Sequence, residues 1–356
     1  MGENKTKIRK LGIVGFGGMA QFHRKEIETI PGISIKGTFD IKEERQSYAR
    51  ELGLHAYDSL EALLAEKDLD IVLVATPNDV HKPIAIKALK AGKHVIVEKP
   101  ATPHSNELQA LIECAKETKR QLSVHQNRRW DGDYLTMKKI FKENLLGRVF
   151  RIESRVHGSR GIPGDWRQLP EHGGGMVLDW GVHLFDQILQ MVPEKVKSVC
   201  AKTTHITNHL VDDGFYAELT FESGLTAAVE VGTNNFISLP RWYMLGQNGT
   251  AIIKDWNQAA QIVRAVGTDE NDVAPVITAA GLTKTMAPRR KENLREEIIP
   301  LEKSDVREFY QNYIAVLEGK EEHKIQLSEV MRVMKLMEAV FMSADTGQVV
   351  TFERII

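Results

Sequence analysis

The chain has 356 residues and a formal net charge of -1, with Lys+Arg 47 against Asp+Glu 48. That balance gives no bulk attraction to nucleic acid or an anionic membrane, and the length predicts two domains. Only two cysteines, Cys114 and Cys200, and no apolar run near the roughly 20 residues of a membrane span exclude a disulfide framework and a spanning helix. The start, "MGENKTKIRK", lacks the apolar centre of a secretory signal. Gly2 and Thr6 match a myristoylation pattern, but a lone acyl chain without a second membrane signal anchors weakly. The expectation is a soluble, cytoplasmic protein.

In chain order, "LGIVGFG" is an apolar strand running into glycines, "QFHRKEIETI" a helix and "ISIKGTFD" a second strand. "KEERQSYARELG" reads as a helix stopped by Gly53, and "SLEALLAEKDLD" as a helix capped by Ser59. "IVLVATP" is a buried strand broken by Pro77, "HKPIAIKALKAG" a helix ending at Gly92, and "HVIVEKP" a strand ending at Lys99. Strands alternating with short helices predict βαβ units and a parallel sheet covered on both faces. Residues 1–124 are therefore expected to form a doubly wound α/β domain of the Rossmann type.

Beyond about residue 122 the pattern becomes strand-rich. "GRVFRIESRVHG", "KVKSVCAKTTHI", "GFYAELTFESGLTAAVEVGTN" and "RWYMLGQNGTAIIKD" are separated by turn signals such as Glu222-Ser223-Gly224. One helix over roughly 175–192 interrupts them. Residues 125–356 are expected to form an α+β domain with a large, mostly antiparallel sheet. The charged segment 268–298 reads as an irregular excursion. The last helix, "SEVMRVMKLMEAVFMSADTG", spaces its methionines for core packing and could pack back on the first domain.

"GIVGFGGMA" supplies Gly15-x-Gly17-x-x-Ala20, with Gly18 and Met19 inside the turn, between a strand and a helix. Gly15 permits the tight turn, Gly17 lets the backbone approach a pyrophosphate, and Ala20 allows close helix–strand packing. The helix N-terminus offers amide donors to the anion. Asp40, after the second strand, stands where a carboxylate accepts from ribose hydroxyls, which favours NAD over NADP although Lys42 and Arg45 lie nearby. Ligands in such sheets bind beyond the carboxyl ends of the strands, so Thr76, Pro77, Asn78 and His81 after one strand, and Glu98 and Lys99 after the next, are candidate cofactor contacts. Gln126 and Asn127 follow the last strand of this half and join them, with Arg128 on the substrate side.

The second cluster lies in "EHGGGMVLDWGVHLFDQILQM". On a helix, Asp179, His183 and Asp186 share one face, and Leu178, Val182, Phe185 and Leu189 form an apolar stripe beside it. An Asp–His pair that merely stabilises the helix is the plainer reading. No set of residues supplies enough spaced ligands for a metal, so none is expected. "GSRGIPGDWRQLPEH" has the composition of a loop over a pocket, and Trp166 within it could stack on a sugar face. His157, His172, Asn234 and Trp242 are further substrate-side candidates, against which ordinary packing stands as the alternative.

Taken together and in this order, the dinucleotide turn, "AGKHVIVEKP", "NRRW" and "GGGMVLDWGVHLFD" resemble the Gfo/Idh/MocA family of sugar and polyol oxidoreductases, over nearly the whole chain. The resemblance implies that Lys99 is catalytic, that the Lys99–Pro100 bond is cis, that Asp179 and His183 complete the site, and that the Trp166-Arg167 pair lies near the cofactor. It implies hydride transfer between NAD and a secondary alcohol of a sugar, polyol or glycoside, including oxidation at C3 of a glycoside. His183 is then the base and Lys99 the group that holds the reacting oxygen, with Lys99 as base the other assignment. An NAD-dependent glycosidase working through a transient oxidation, or a non-catalytic sensor, are the competing readings. The family also implies a homo-oligomer through the open face of the second sheet, to which apolar residues of "FYAELTF" and "LTAAVEV" could contribute.

Overall fold

The computed structural model describes residues 7–267 and 272–352, so the acylation pattern at Gly2 and Thr6 lies outside the described residues. The first half builds a five-stranded parallel sheet from β1 (Arg9–Val14), β2 (Ile33–Phe39), β3 (Ile71–Val74), β4 (His94–Glu98) and β5 (Leu122–His125). Helices α1 (Gly18–Ile27), α2 (Glu43–Glu51), α3 (Leu60–Ala65), α4 (His81–Lys90) and α5 (Ser105–Thr118) connect them. β3 is buried along its whole length, as expected of a strand sandwiched between two helical layers. Ser59 caps α3 by accepting from the Ala62 amide at 3.0 Å. The order β2-β1-β3-β4-β5 puts the topological switch between β1 and β3, and the crevice beyond their carboxyl ends is the place for a ligand.

The second half contains α6 (Gly132–Lys142), β6 (Val149–His157), a π-helical turn Val177–Gly181 running into α7 (Val182–Met191), and β7 (Val196–Thr204). It continues through β8 (Gly214–Phe221), β9 (Thr226–Gly232), β10 (Trp242–Gly246), β11 (Gly249–Ile253) and β12 (Ala260–Ala265). Then come the hairpin β13 (Val276–Thr278) and β14 (Gly281–Thr283), β15 (Leu294–Ile299), α8 (Arg307–Leu317), α9 (Leu327–Thr346) and β16 (Val350–Thr351). Nine of these strands form one sheet in the order β15-β12-β11-β10-β6-β9-β8-β7-β16. Every pairing in it is antiparallel except β6 with β9. The segment expected to be irregular thus contributes an edge strand, β15, whose alternating "LREEII" pairs with β12.

Alternation along β8 sends Phe215, Ala217, Leu219 and Phe221 into the core. The opposite face carries ions instead: Arg151 bonds Glu153 at 2.6 Å and Glu218 at 3.2 Å, and Arg155 bonds Glu230 at 3.1 Å. Most apolar residues of these strands therefore point inward, but Tyr216 is exposed on the open face beside an arginine–glutamate lattice. Met334 and Met337 of α9 are buried, in keeping with core packing. α9 also reaches α5, where Glu338 accepts from the Ser105 hydroxyl at 2.9 Å. α8 returns to the first sheet: the Tyr313 hydroxyl lies 3.2 Å from the Val95 carbonyl oxygen, within donating distance. Among the described residues no helix is long and apolar enough to cross a membrane.

Candidate active site

The glycine turn closes as its sequence requires. Gly15 has φ +86°, and a Cβ there would sit 2.6 Å from the Ala75 carbonyl oxygen, so only glycine fits beside β3. Gly17, the N-cap of α1, and Gly18 face open space. Met19 is half-exposed at the rim and Ala20 is fully buried. Asp40 accepts from the Phe16 amide at 2.6 Å and the Lys42 amide at 2.8 Å, fixing the turn against the end of β2. Along the same edge, Thr76 Oγ1, Gln126 Nε2 and Oε1, and Asn127 Oδ1 are buried without hydrogen-bond partners. Buried polar atoms left unpaired are costly. An open cradle for a pyrophosphate and a row of unpaired donors and acceptors fit a bound dinucleotide.

Lys99 follows β4 directly and its bond to Pro100 is cis. Its ammonium donates to the Asp179 carbonyl at 2.9 Å and to Asp179 Oδ1 at 3.1 Å. Arg167 donates through Nε to the other carboxylate oxygen at 3.0 Å, while its guanidinium carbon sits 4.6 Å from the centre of the Trp166 ring. Burial opposes the charge on Asp179, but the Lys99 and Arg167 cations outweigh it and hold the carboxyl below its ordinary value. The carboxylate is thus spent on two cations rather than on orienting His183. His183, 4 % exposed, leaves Nδ1 buried and unpaired. Burial first, then the charges of Lys99 and Arg128, push its pKa well below that of free imidazole, so it is neutral.

The three glycines before this helix each have a reason. A Cβ at Gly173 would press on Asn78 at 3.1 Å, one at Gly174 would strike the Arg167 carbonyl, and one at Gly175 would strike the Asp212 carboxylate. Asp212 takes the place of that side chain and accepts from the Val177 amide at 2.8 Å, capping the turn that carries Asp179. Burial pushes its carboxyl up to about 7. The sequence offered no signal for this residue, which lies in the loop before β8.

Several candidates have other partners. The Asn78 amide donates to the Gly173 carbonyl at 2.8 Å, and Asp79 lies 3.1 Å from His172, so both tie the first sheet to the loop over the site. Pro77 is half-buried beside them. His81 is fully buried, with Nδ1 and Nε2 each 2.9 Å from the carbonyl oxygens of Pro100 and Thr76, and it buttresses both strand ends instead of facing a ligand. Glu98 turns inward to His23 and His125. His157 is corrected as a substrate group: Nδ1 accepts from the Leu239 amide at 3.2 Å and Nε2 lies 3.4 Å from Glu230. Trp242 is core, its indole donating to Asp133 at 2.8 Å. Asp186 is drawn away from the site by Arg129, which holds both its oxygens at 2.7 and 2.6 Å. Conversely, the structure adds Trp180 and Trp256: the Arg128 guanidinium lies 4.4 and 5.1 Å from their ring centres, a double cation–π stack next to His183.

A glycine turn at the carboxyl end of a central parallel strand, with a lysine–aspartate pair and a buried neutral histidine beyond the end of β4, is the arrangement of a dinucleotide oxidoreductase. Residues 9–126 match the oxidoreductase family with NAD-binding Rossmann fold, GFO/IDH/MocA, and residues 134–252 match the GFO/IDH/MocA C-terminal domain. The chain belongs to this family. An NAD-binding protein from Listeria innocua, known from its crystal structure, is 47% identical with a TM-score of 0.94, covering 97% of this chain and 100% of that one. The oxidoreductase YdgJ of Escherichia coli is 34% identical over 51% of this chain and 53% of its own length. Other curated relatives are likewise matched over about half their length. The scyllo-inositol 2-dehydrogenase (NADP(+)) IolW of Bacillus subtilis is 29% identical over 70% of both chains.

Proposed function

We propose that the chain oxidises a secondary ring alcohol of a polyol or sugar, or reduces the corresponding ketone, with NAD as the cofactor. The observation that carries this reading is the Lys99–Asp179 contact beside neutral His183, at the strand end where Gln126 and Asn127 leave polar atoms unpaired. The bound nicotinamide supplies the hydride acceptor. Lys99, fixed by Asp179, donates to the reacting oxygen and stabilises negative charge that develops on it. His183, neutral and cut off from water, takes the hydroxyl proton. Arg167 and Trp166 close the loop over the pair. Relatives named as myo-inositol and scyllo-inositol 2-dehydrogenases favour a cyclic polyol over the C3 position of a glycoside. Asp40 supports NAD, whereas the relative IolW is named for NADP(+).

The division at residue 124/125 and a homo-oligomer belong to the same proposal, with the arginine–glutamate face as the surface for association. The test is the absorbance of reduced nicotinamide after mixing the protein with NAD⁺ or NADP⁺ and a panel of inositols, hexoses and aryl glycosides. Growth of the band with a cyclic polyol and NAD⁺ supports the reading. Consumption of a glycoside without net reduction of cofactor would favour a glycosidase working through transient oxidation.

A further inference from the structure

Behind Lys99 lies a buried polar cluster that the proposed reaction leaves unused. His23 comes from α1, Glu98 from the end of β4, His125 from the end of β5 and Tyr310 from α8, and all four are almost wholly cut off from solvent. Glu98 Oε1 lies 2.7 Å from His23 Nε2 and 2.7 Å from His125 Nδ1, while Oε2 accepts from the Lys99 amide at 3.1 Å. Burial opposes the charge on Glu98, yet the field and hydrogen bonds of the two imidazoles hold its carboxyl well below the ordinary range. An ionised carboxylate only accepts, so both facing nitrogens carry hydrogens. Burial lowers the pKa of His23 and keeps it neutral, so its Nδ1 is an acceptor and the Tyr310 hydroxyl donates to it. The three ligating atoms lie within 4.8 Å of one another, close enough for a cation, but 2.7 Å separations are those of charge-assisted hydrogen bonds.

The cluster faces the chemistry through charge. When the alcohol is oxidised, the carbinol C–H pair leaves for the cofactor and the O–H pair becomes the second C=O bond. The proton goes to His183, so a buried imidazolium forms. Lys99, Arg128 and His125 oppose that charge, and Glu98 favours it. Asp179 has both carboxylate oxygens committed to Lys99 and Arg167. We propose that His23, His125 and Tyr310 are positioning residues that fix Glu98 as an anion behind Lys99, and that this anion is the counter-charge for the imidazolium of His183. The inference rests on the alcohol-oxidising reading given above.

The test compares Glu98→Gln, His23→Leu and His23→Gln with the unmodified protein, leaving His125 in place because its own field opposes the His183 charge. The amide nitrogen of His23→Gln occupies the position of Nε2, so it keeps the donor to Glu98. With NAD⁺ and myo-inositol, scyllo-inositol or D-glucose as probes, Glu98→Gln should lower the kcat plateau at least about tenfold. It should also move the acid limb down by about one pH unit, the scale of a lost neighbouring charge, and His23→Leu should move it the same way. His23→Gln should retain the wild-type profile, and NADH binding, read by fluorescence, should change less than about threefold in all three. An unmoved acid limb in Glu98→Gln overturns the inference while leaving the reaction intact.

A second arm needs no substrate. Because the folded-state pKa of Glu98 is depressed, its stabilising contribution is present above the unfolded value and fades as pH falls through the folded one. The Tm gap between the protein and Glu98→Gln should therefore be widest near neutrality and narrow in acid. A gap independent of pH, or a stoichiometric metal ion that leaves on Glu98→Gln, overturns the anion itself. If NADH binds but no probe is turned over, the alcohol-oxidising reading fails and the inference with it, whatever the stability arm shows.

Discussion

The Lys99 ammonium meets both the backbone carbonyl and the carboxylate of Asp179, at 2.9 and 3.1 Å, across 80 residues of sequence. One contact joins the carboxyl end of a parallel strand to the π turn that opens the helix of the second half. It places a cation at the carboxyl end of β4 and commits the Asp179 carboxylate to Lys99 and Arg167 rather than to His183. In the proposed reaction, proton transfer and stabilisation of the reacting oxygen fall to different side chains, His183 and Lys99.

That division predicts separable losses. His183→Ala should lower kcat by about 10²–10⁴, the usual cost of losing a general base. Lys99→Ala should lower it by about 10²–10³, as for the loss of one donor to a developing oxyanion. Neither should weaken NADH binding measured by fluorescence titration. A variant that loses cofactor binding in parallel with kcat would place that residue in the cofactor site instead.

Two glycines should respond in opposite ways. Gly17→Ala puts a methyl into open space, so Tm should hold while affinity for NAD⁺ falls about tenfold or more, since the pyrophosphate must approach that backbone closely. Gly175 has φ +99°, and its Cβ would collide with Asp212. Gly175→Ala should lower Tm by several degrees, roughly the effect of 1–3 kcal/mol of backbone strain, and reduce kcat because the turn bearing Asp179 must move. Thermal melts and NAD⁺ titrations of the two proteins decide the matter.

Asp212 gives a pH-dependent stability with a definite sign. Its carboxyl is raised by burial from 3.8 to about 7, so between those values the folded protein holds a proton that the unfolded chain has released. Stability contributed by this group therefore falls as pH rises through that window and levels off above it. Asp212→Asn should remove that slope, leaving a Tm less sensitive to pH between about 4 and 7. An unchanged slope would show that the carboxyl titrates normally.

Trp256 should act on substrate binding. It reaches Arg128 from the β11–β12 connection, and its loss removes one face of the cation–π stack, worth about 0.5–2 kcal/mol. Trp256→Ala should raise KM for the polyol a fewfold to tenfold with kcat nearly unchanged. A fall in kcat at constant KM would put Trp256 in the chemical step.

Local patterns made much of this legible. Apolar runs, Ser59 and the glycine turn mark the parallel sheet because each obeys a rule of a few neighbouring residues. The Glu-Lys-Pro run and the Asp–His helix were visible for the same reason. What stayed hidden depends on partners far apart in sequence: Glu98 with His23, Asp186 with Arg129, Gly175 with Asp212, and Trp256 with Arg128. Alternation in β8 and β9 is readable, but which face is covered depends on where α7 and α9 pack, so the burial of Phe215 and Leu219 against the exposure of Tyr216 is not legible from the strands alone. β15 escaped notice because its charged alternation resembles a solvated loop until β12 lies beside it.

In the proposed reaction, hydride leaves a carbinol carbon held by Lys99 beside His183. Its most direct test is isotope transfer: a cyclic polyol deuterated at its carbinol carbons is incubated with the protein and NAD⁺, and the cofactor is analysed by mass spectrometry. The expected product is reduced cofactor carrying one deuterium, formed at least about a hundredfold more slowly by His183→Ala. Reduced cofactor without the label, or labelled cofactor formed equally well by His183→Ala, would contradict it.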